Sequence, residues 1–560
     1  MRPHLLLLAT LLLLLVGFGM GSVRADDDVP PAPPPFSEQA AWLGLAGLPV
    51  AVMDEPAFQR VRALAGMGVA WAETQPIRWG DVEPRSPDSP LARYDWRAID
   101  DTVLSCQRAG FSPLLVLSPT CVWAQIDPET SDWTRFARER LPEAEVAPAL
   151  ASAVGALPPR PEAHKHWQRF VRDLVERYDG DGTRDVPSLL RPVLEIQVLD
   201  QVQRATRWRG SAEDYQRLLH YARAGAEEAD PRVSVMHAAV DLRGLFRAED
   251  GEPDRWLKRL EASIPATPAF VRLEARRGLE LVLSDLSFTQ LFDGVPHVGS
   301  GNLGEDVRNL AALGALLAQR GASNLSFWLT QAPTRRLGRS RVEVPDDRLE
   351  PVEDRLRQRL LTEGLRQQED GPARRWLRAG AAYDVVRGAA LARAAGAARV
   401  FTYELGDAGL RVPGEAEGPG RAQGFVREVM APGAPSTFTP TPSWYAARQL
   451  NRLTLGHRSA ATAPLGAPGT VVVFSFGESH PVPWVAVLLP DPNLSWAGTP
   501  GVAPVPHKVS LPMPDGPVEI ELLTLEDGPV KRRRADVVDG LLEIELTHAP
   551  VYVVPAHRDR

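Results

Sequence analysis

The chain has 560 residues, too many for one ordinary core, so two or three domains, or one large barrel with additions, are expected. Its 44% hydrophobic and 24% charged content is that of a soluble globular protein and excludes fibrous or wholly disordered classes. A net charge of −8 argues against nucleic acid as a partner.

In chain order, Arg2 and His4 precede an apolar run from Leu5 to Val16, and small residues continue to Ala25. Val23 and Ala25 suit a signal peptidase, so residues 1–25 read as a leader and the protein as secreted or periplasmic, with no membrane contact after cleavage. A membrane anchor is the alternative, although the run is short for a span. Residues 26–38, acidic and then proline-rich, read as a tether.

From residue 39 to 458, short apolar runs alternate with amphipathic helical patterns. The expected strands are Leu43–Val50, Val69–Ala72, Pro113–Leu117, Val193–Leu199, Val233–Met236, Phe292–Val298, Leu325–Thr330 and Arg399–Tyr403. The helices following them are Ala57–Ala65, Trp96–Ala109, Trp167–Tyr178, Ala212–Ala229, Trp256–Leu260, Glu305–Arg320, Ala381–Ala395 and Trp444–Leu453. Eight such pairs in sequence predict an α/β fold, a (β/α)8 barrel, because right-handed crossovers return strand eight to strand one. A doubly wound sheet is the alternative, but no glycine-rich phosphate loop follows the first strand.

Residues 331–372 form a long loop after strand seven, carrying Arg335, Arg336, Arg339 and Arg341. It is either a lid over the barrel mouth or a solvated insertion. From 466 to 557 the pattern becomes short alternating strands, Val471–Ser475, Trp484–Leu489, Val518–Leu523 and Leu541–Leu546, which predict a small antiparallel β-sandwich. The basic run Lys531–Arg534 between two of them reads as a solvated hairpin tip. Cys106 and Cys121 fall at opposite ends of neighbouring elements and read as free buried thiols, though export permits a disulfide. The 11 histidines are scattered without zinc-ligand spacing, so neither a metal nor another cofactor is expected.

Several segments resemble clan A glycoside hydrolases, in particular the family containing β-xylosidases and α-L-iduronidases. They are Gly68–Trp71 with Arg78–Pro84, Tyr94–Trp96, Gly110–Leu117 with Pro119–Ala124, Phe170–Tyr178, Trp208–Tyr215, Arg399–Asp407 and the terminal Ala549–Val554. No single motif is decisive, but they occur in order over most of the chain after the leader. The resemblance implies an oligo- or polysaccharide partner and two glutamates about 5–5.5 Å apart, a proton donor at the end of strand four and a nucleophile at the end of strand seven.

Laid on that pattern, Leu199 takes the proton donor's position and Gln331 the nucleophile's. Leucine has no transferable proton, and an amide is a poor nucleophile. Asp200, Glu73 and Glu404 are the weak substitutes. Asp200 reaches the mouth only if a bulge turns it there. Glu195 shares its parity with Leu199 but lies deeper, as a barrel-interior residue. Gln331, His297, Trp123, Tyr403, Trp79 and Trp208 are candidates for contact with sugar, and His297 reads equally well as a satisfied core histidine.

The leading expectation is therefore a secreted hydrolase-like barrel that binds glycan with weak or no hydrolysis. The alternatives are an active O-glycosyl hydrolase with relocated carboxylates and a non-catalytic protein-binding exoprotein. Oligomeric state is not legible.

Overall fold

The computed structural model describes residues 42–240, 289–298, 313–315, 318, 322, 325–333, 371–394, 396–403, 424–429, 437–455, 459–461, 471–476, 484–488, 506–547 and 549–556. The leader, the tether, the expected helix at 256–260, most of that at 305–320 and the loop at 334–370 lie outside them.

Eight parallel strands close on themselves: β1 Leu43–Leu48, β2 Trp71–Thr74, β3 Ser112–Ser118, β4 Glu195–Val198, β5 Ser234–Met236, β6 Gly294–Val298, β7 Ser326–Pro333 and β8 Arg399–Tyr403. Each pairs with the next, and β8 pairs with β1 through Leu43↔Val400 and Leu45↔Thr402. The expected barrel is what the chain forms. Strand two is displaced by two residues at each end, and strand seven starts one residue later and ends three later than expected.

The helices lie outside. They include α1 Glu55–Ala65, α2 Arg97–Arg108, α3 His164–Tyr178, α4 Ala212–Ala229, α5 Pro372–Ala394 and α6 Pro442–Thr454. Local chemistry sets their ends. Asp54 caps α1 by accepting the Ala57 amide, and Ser211 with Asp214 forms a capping box at α4. On α3 the residues Trp167, Phe170, Val171, Leu174, Val175 and Tyr178 form one apolar face turned to the barrel. Strand β3, Ser-Pro-Leu-Leu-Val-Leu-Ser, is buried throughout, as a strand covered on both faces must be.

Inside the barrel, Ala46, Trp71, Leu114, Met236, Trp328 and Phe401 form one apolar cluster. The bulk is distributed unevenly. On β1 the inward residues are Gly44 and Ala46, and a Cβ at Gly44 would lie 2.8 Å from both Phe401 Cδ1 and Trp71 Cβ. The absent side chain is what lets two aromatic residues fill the centre. Alternate strands contribute to one layer. Accordingly Trp71 (β2), Glu195 (β4) and Arg399 (β8) meet, with Arg399 Nη2 3.6 Å from Glu195 Oε1. The guanidinium lies 3.7 Å from the Trp71 ring centroid and 4.5 Å from that of Trp328.

The C-terminal domain is antiparallel. One six-stranded sheet contains the strands at Val471–Phe476, Trp484–Leu488, Gly516–Leu522 and Val551–Pro555, and a separate pair joins His507–Pro512 to Leu541–Leu546. Lys531–Arg534 is not a hairpin tip. Arg532–Val537 is an edge strand paired with Gly516–Leu522, because Arg532 and Arg534 stand opposite Glu521 and Glu519 and form cross-strand ion pairs. The buried Glu521 also receives Arg452 and Gln449 of α6, and Val485 and Tyr552 join the apolar cluster of α5 and α6. The two domains thus share a packed junction. Cys106 and Cys121 are free and buried.

Replacing Gly44 with valine forces a branched side chain into the Trp71–Phe401 contact. Overpacking of this kind costs about 1–3 kcal/mol, to be read as a lowered midpoint in urea with an unchanged slope.

Candidate functional site

The ends of parallel strands are where a barrel of this kind builds its site, and among the described residues the exit of β4 carries two left-handed non-glycine residues close together. Leu199 and Gln201, on either side of Asp200, have φ of 66° and 49°. Left-handed backbone at two non-glycine residues is costly and persists only where surrounding bonds impose it. Those bonds are present. The Leu199 amide donates to the Leu117 carbonyl at 2.8 Å, and the Gln201 amide to that of Ala239 at 2.8 Å. The Tyr215 hydroxyl clamps the adjoining strand ends, donating to the Val198 carbonyl at 3.0 Å and accepting the Ala238 amide at 2.7 Å.

Two consequences follow for the expected catalytic positions. Leu199 is 3% exposed and belongs to the apolar cluster of Val198, Val202 and Trp208. Asp200 is held beside the barrel end rather than among the helices, in a bridge with Ala239, and Gln201 Nε2 donates to its Oδ2 at 3.2 Å.

Glu73, at the inner end of β2, is 3% exposed. Burial first, and then the charge of Asp200, hold its carboxyl well above the usual carboxylate range. The two acids are therefore electrostatic neighbours across the barrel end. Glu73 occupies the layer above Trp71, so it does not line an open cleft as expected. Two residues along from Glu195 and Arg399, that same layer holds Gln197 and Phe401. Gln197 is fully buried, and its Nε2 donates to the Leu199 carbonyl at 2.9 Å, which fixes the amide's orientation. Among the described residues neither Gln197 Oε1 nor Glu73 Oε2 has a hydrogen-bond partner.

Three of the expected sugar contacts are core residues instead. Trp79 is fully buried against Trp123, Trp167 and Phe170, and its Nε1 donates to Glu83 Oε2 at 2.8 Å. Trp208 is fully buried, edge-on to Tyr215. Both lie in the helix layer because their polar Nε1 finds a fixed acceptor there. His297 is likewise fully buried, with Nδ1 3.0 Å from the Val240 carbonyl, and it shares its strand parity with the outward Val295.

Trp123 is half-buried, with Nε1 donating to the Glu83 carbonyl at 2.8 Å. Gln331 falls in a bulge, where β7 advances from Leu329 to Ala332 while β8 advances only from Val400 to Thr402. The side chains of Gln331 and Tyr403, and the whole of Glu404, lie outside the described residues. Glu195 is interior, as expected, in its ion pair with Arg399.

Gln197 was missed by sequence reasoning, although its parity with Glu195 was available as a signal. Among the described residues one acidic group has ligand-like proximity, Asp179, Asp181 and Asp185, whose oxygens lie within 4.8 Å of one another. It follows α3 at the opposite face of the barrel, and these carboxylates accept the amides of Gly180, Asp181, Gly182 and Thr183.

Solved structures share the fold. A family 39 glycoside hydrolase from the gut symbiont Bacteroides cellulosilyticus superposes with a TM-score of 0.51 at 14% identity, over 91% of this chain and 80% of that one. A conserved exported protein from Bacteroides fragilis superposes with a TM-score of 0.50 at 11% identity, over 93% of this chain and 99% of that one. The resemblance to clan A glycoside hydrolases therefore holds for the fold. No family model matches the sequence, and no curated protein matches it.

A group held above its unfolded pKa costs stability as pH rises. The unfolded Glu73 ionises near 4.5 while the folded one stays protonated, so stability falls between that pH and the raised folded value. Glu73→Gln is expected to flatten this part of the pH–stability curve in urea titrations from pH 4 to 8, and to stabilise the protein at neutral pH.

Proposed function

We propose that this is an exported saccharide-binding protein of carbohydrate metabolism, built on a glycosidase-type barrel that no longer carries out retaining hydrolysis. The observation that carries this reading is the exit of β4. The position that aligns with the proton donor is a leucine, and it is buried among apolar neighbours in a left-handed conformation imposed by bonds to Leu117 and by the Ala239 contact. Restoring an acid there by substitution alone places a carboxyl in hydrocarbon, where it stays neutral or disrupts packing. The nucleophile's position, Gln331, offers an amide at a bulge. Loss of the proton donor costs about 10²–10⁴-fold by itself.

Export is supported by the leader-like residues 1–25. Sugar recognition is supported by the ordered segments shared with the family and by the polar groups gathered above the aromatic centre of the barrel. The half-buried Trp123 leaves part of its side chain accessible.

One observation favours a second reading. Burial, and then the charge of Asp200, hold the Glu73 carboxyl well above the usual range, and a carboxyl kept protonated beside a second acidic side chain is one half of an acid–base pair. In that reading the protein is an O-glycosyl hydrolase with relocated carboxylates.

A panel of soluble oligosaccharides and the corresponding aryl glycosides separates the two. The proposal expects saccharide binding by calorimetry with no chromophore release above background. Release that disappears in Asp200→Asn and in Glu73→Gln, with binding retained, supports the second reading and overturns the first.

A further inference from the structure

The ends of β4 and β5 are joined where two side chains share the Ala238 peptide. The Tyr215 hydroxyl accepts the Ala238 amide at 2.7 Å, and His237 Nδ1 lies 2.7 Å from the Ala238 carbonyl. A ring nitrogen this close to a carbonyl carries the hydrogen, which leaves Nε2 as a bare acceptor. His237 is fully buried, and among the described residues Nε2 has no hydrogen-bond partner. The ring sits edge-on to two aromatic rings, Tyr215 of α4 with centroids 5.0 Å apart and Phe292 with centroids 4.9 Å apart. The segment it holds is the one that fixes the β4 exit. Ala239 accepts the Gln201 amide and bridges to Asp200, and the Val240 amide donates to Pro296 of β6.

The titratable and charged groups on the surrounding elements are turned elsewhere. Tyr215 donates to the Val198 carbonyl, and Asp200 accepts Gln201 Nε2. Asp293 accepts the Val235 amide and Arg223, and His297 meets the Val240 carbonyl. Burial holds the His237 pKa down to about 4, and the bond to Ala238 offsets only part of that.

We infer that His237 is an acid-sensitive latch: a proton taken from solvent at Nε2 expels the ring from its seat, releases the Ala238 peptide and frees the β4 exit with Asp200. The charged ring would carry a donor at Nε2 with no acceptor and no counter-charge among the described residues. The inference goes beyond the saccharide reading and does not depend on it. Once displaced, the ring ionises near 6.5, whereas the packed ring resists to about 4. The latched state is therefore fully favoured above 6.5 and loses ground as pH falls through that window. Glu73 works in the opposite direction, because its burial favours the protonated form.

Amide hydrogen exchange of the full chain between pH 7.5 and 4.5, read as protection factors, tests the latch. Protection at the Ala238, Leu199 and Gln201 amides is expected to fall about tenfold per pH unit below about 6. The Val400 amide, bonded to Trp42 on the far side of the barrel, is expected to keep its protection. His237→Asn retains a donor for the Ala238 carbonyl and removes the titration, so the loss is expected to be absent there. An NMR titration of the His237 ring in the wild type needs no variant, and its signal is expected to move only together with the loss of protection. Protection at the three amides that does not change with pH overturns the inference, as does an equal loss at Val400 or a loss that persists in His237→Asn. A ring that ionises near 6.5 while Ala238 stays protected overturns it as well, since the fold then tolerates the charge.

Discussion

The barrel is organised around one cation. Arg399 enters the interior from the first residue of β8, and its guanidinium is faced by the rings of Trp71 and Trp328 and paired with Glu195. Contacts of this type contribute about 0.5–2 kcal/mol each. Their larger effect is on register. A charge inside a barrel is tolerable only where its partners stand, so four strands must bring these four residues to one level. Gly44 and Ala46 on β1 then leave the room that the aromatic rings occupy. With that level fixed, the next one up is fixed as well, and it is the level of Glu73 and Gln197.

The β4 exit follows from the same frame. Strand register places Val198 beside Leu117, whose carbonyl accepts the Leu199 amide, and the Tyr215 clamp ties the neighbouring ends of β4 and β5. The chain must then pass Asp200 through two left-handed residues to meet Ala239. The apolar side chain at 199 suits this path, since it adds to the cluster of Val198, Val202 and Trp208. In the proposed reading, the absence of a carboxyl at 199 and the packing of this corner go together: the residue that has no proton to give also packs the turn.

Much of the fold was legible before the structure. The apolar period of the strands, the helix faces and the order of eight βα pairs lead to the barrel directly, and the ends of α4 and β8 coincide with their expected limits. Less of the site was legible. Parity correctly placed Glu195 inside, and the alternative in which a bulge at β4 redirects Asp200 corresponds to the left-handed residues found there. Parity and composition could not tell which tryptophans were spare. Trp79 and Trp208 look like sugar platforms in sequence, but rings from other segments, Trp123, Trp167 and Phe170 against the first and Tyr215 against the second, hold them in the core. The basic run at Lys531 misled for a related reason: its cross-strand glutamates come from another segment, and only pairing reveals them.

In the proposed reading the saccharide meets a barrel end without the two opposed carboxylates of a retaining glycosidase. A crystal structure of the complex with an oligosaccharide tests this most directly. The expected result is a sugar at the C-terminal end of the barrel with its polar groups turned to Glu73 and Gln197, and with no pair of carboxylates flanking a glycosidic bond. Two acidic side chains on opposite sides of such a bond, about 5–5.5 Å apart or at the wider separations of an inverting pair, contradict it.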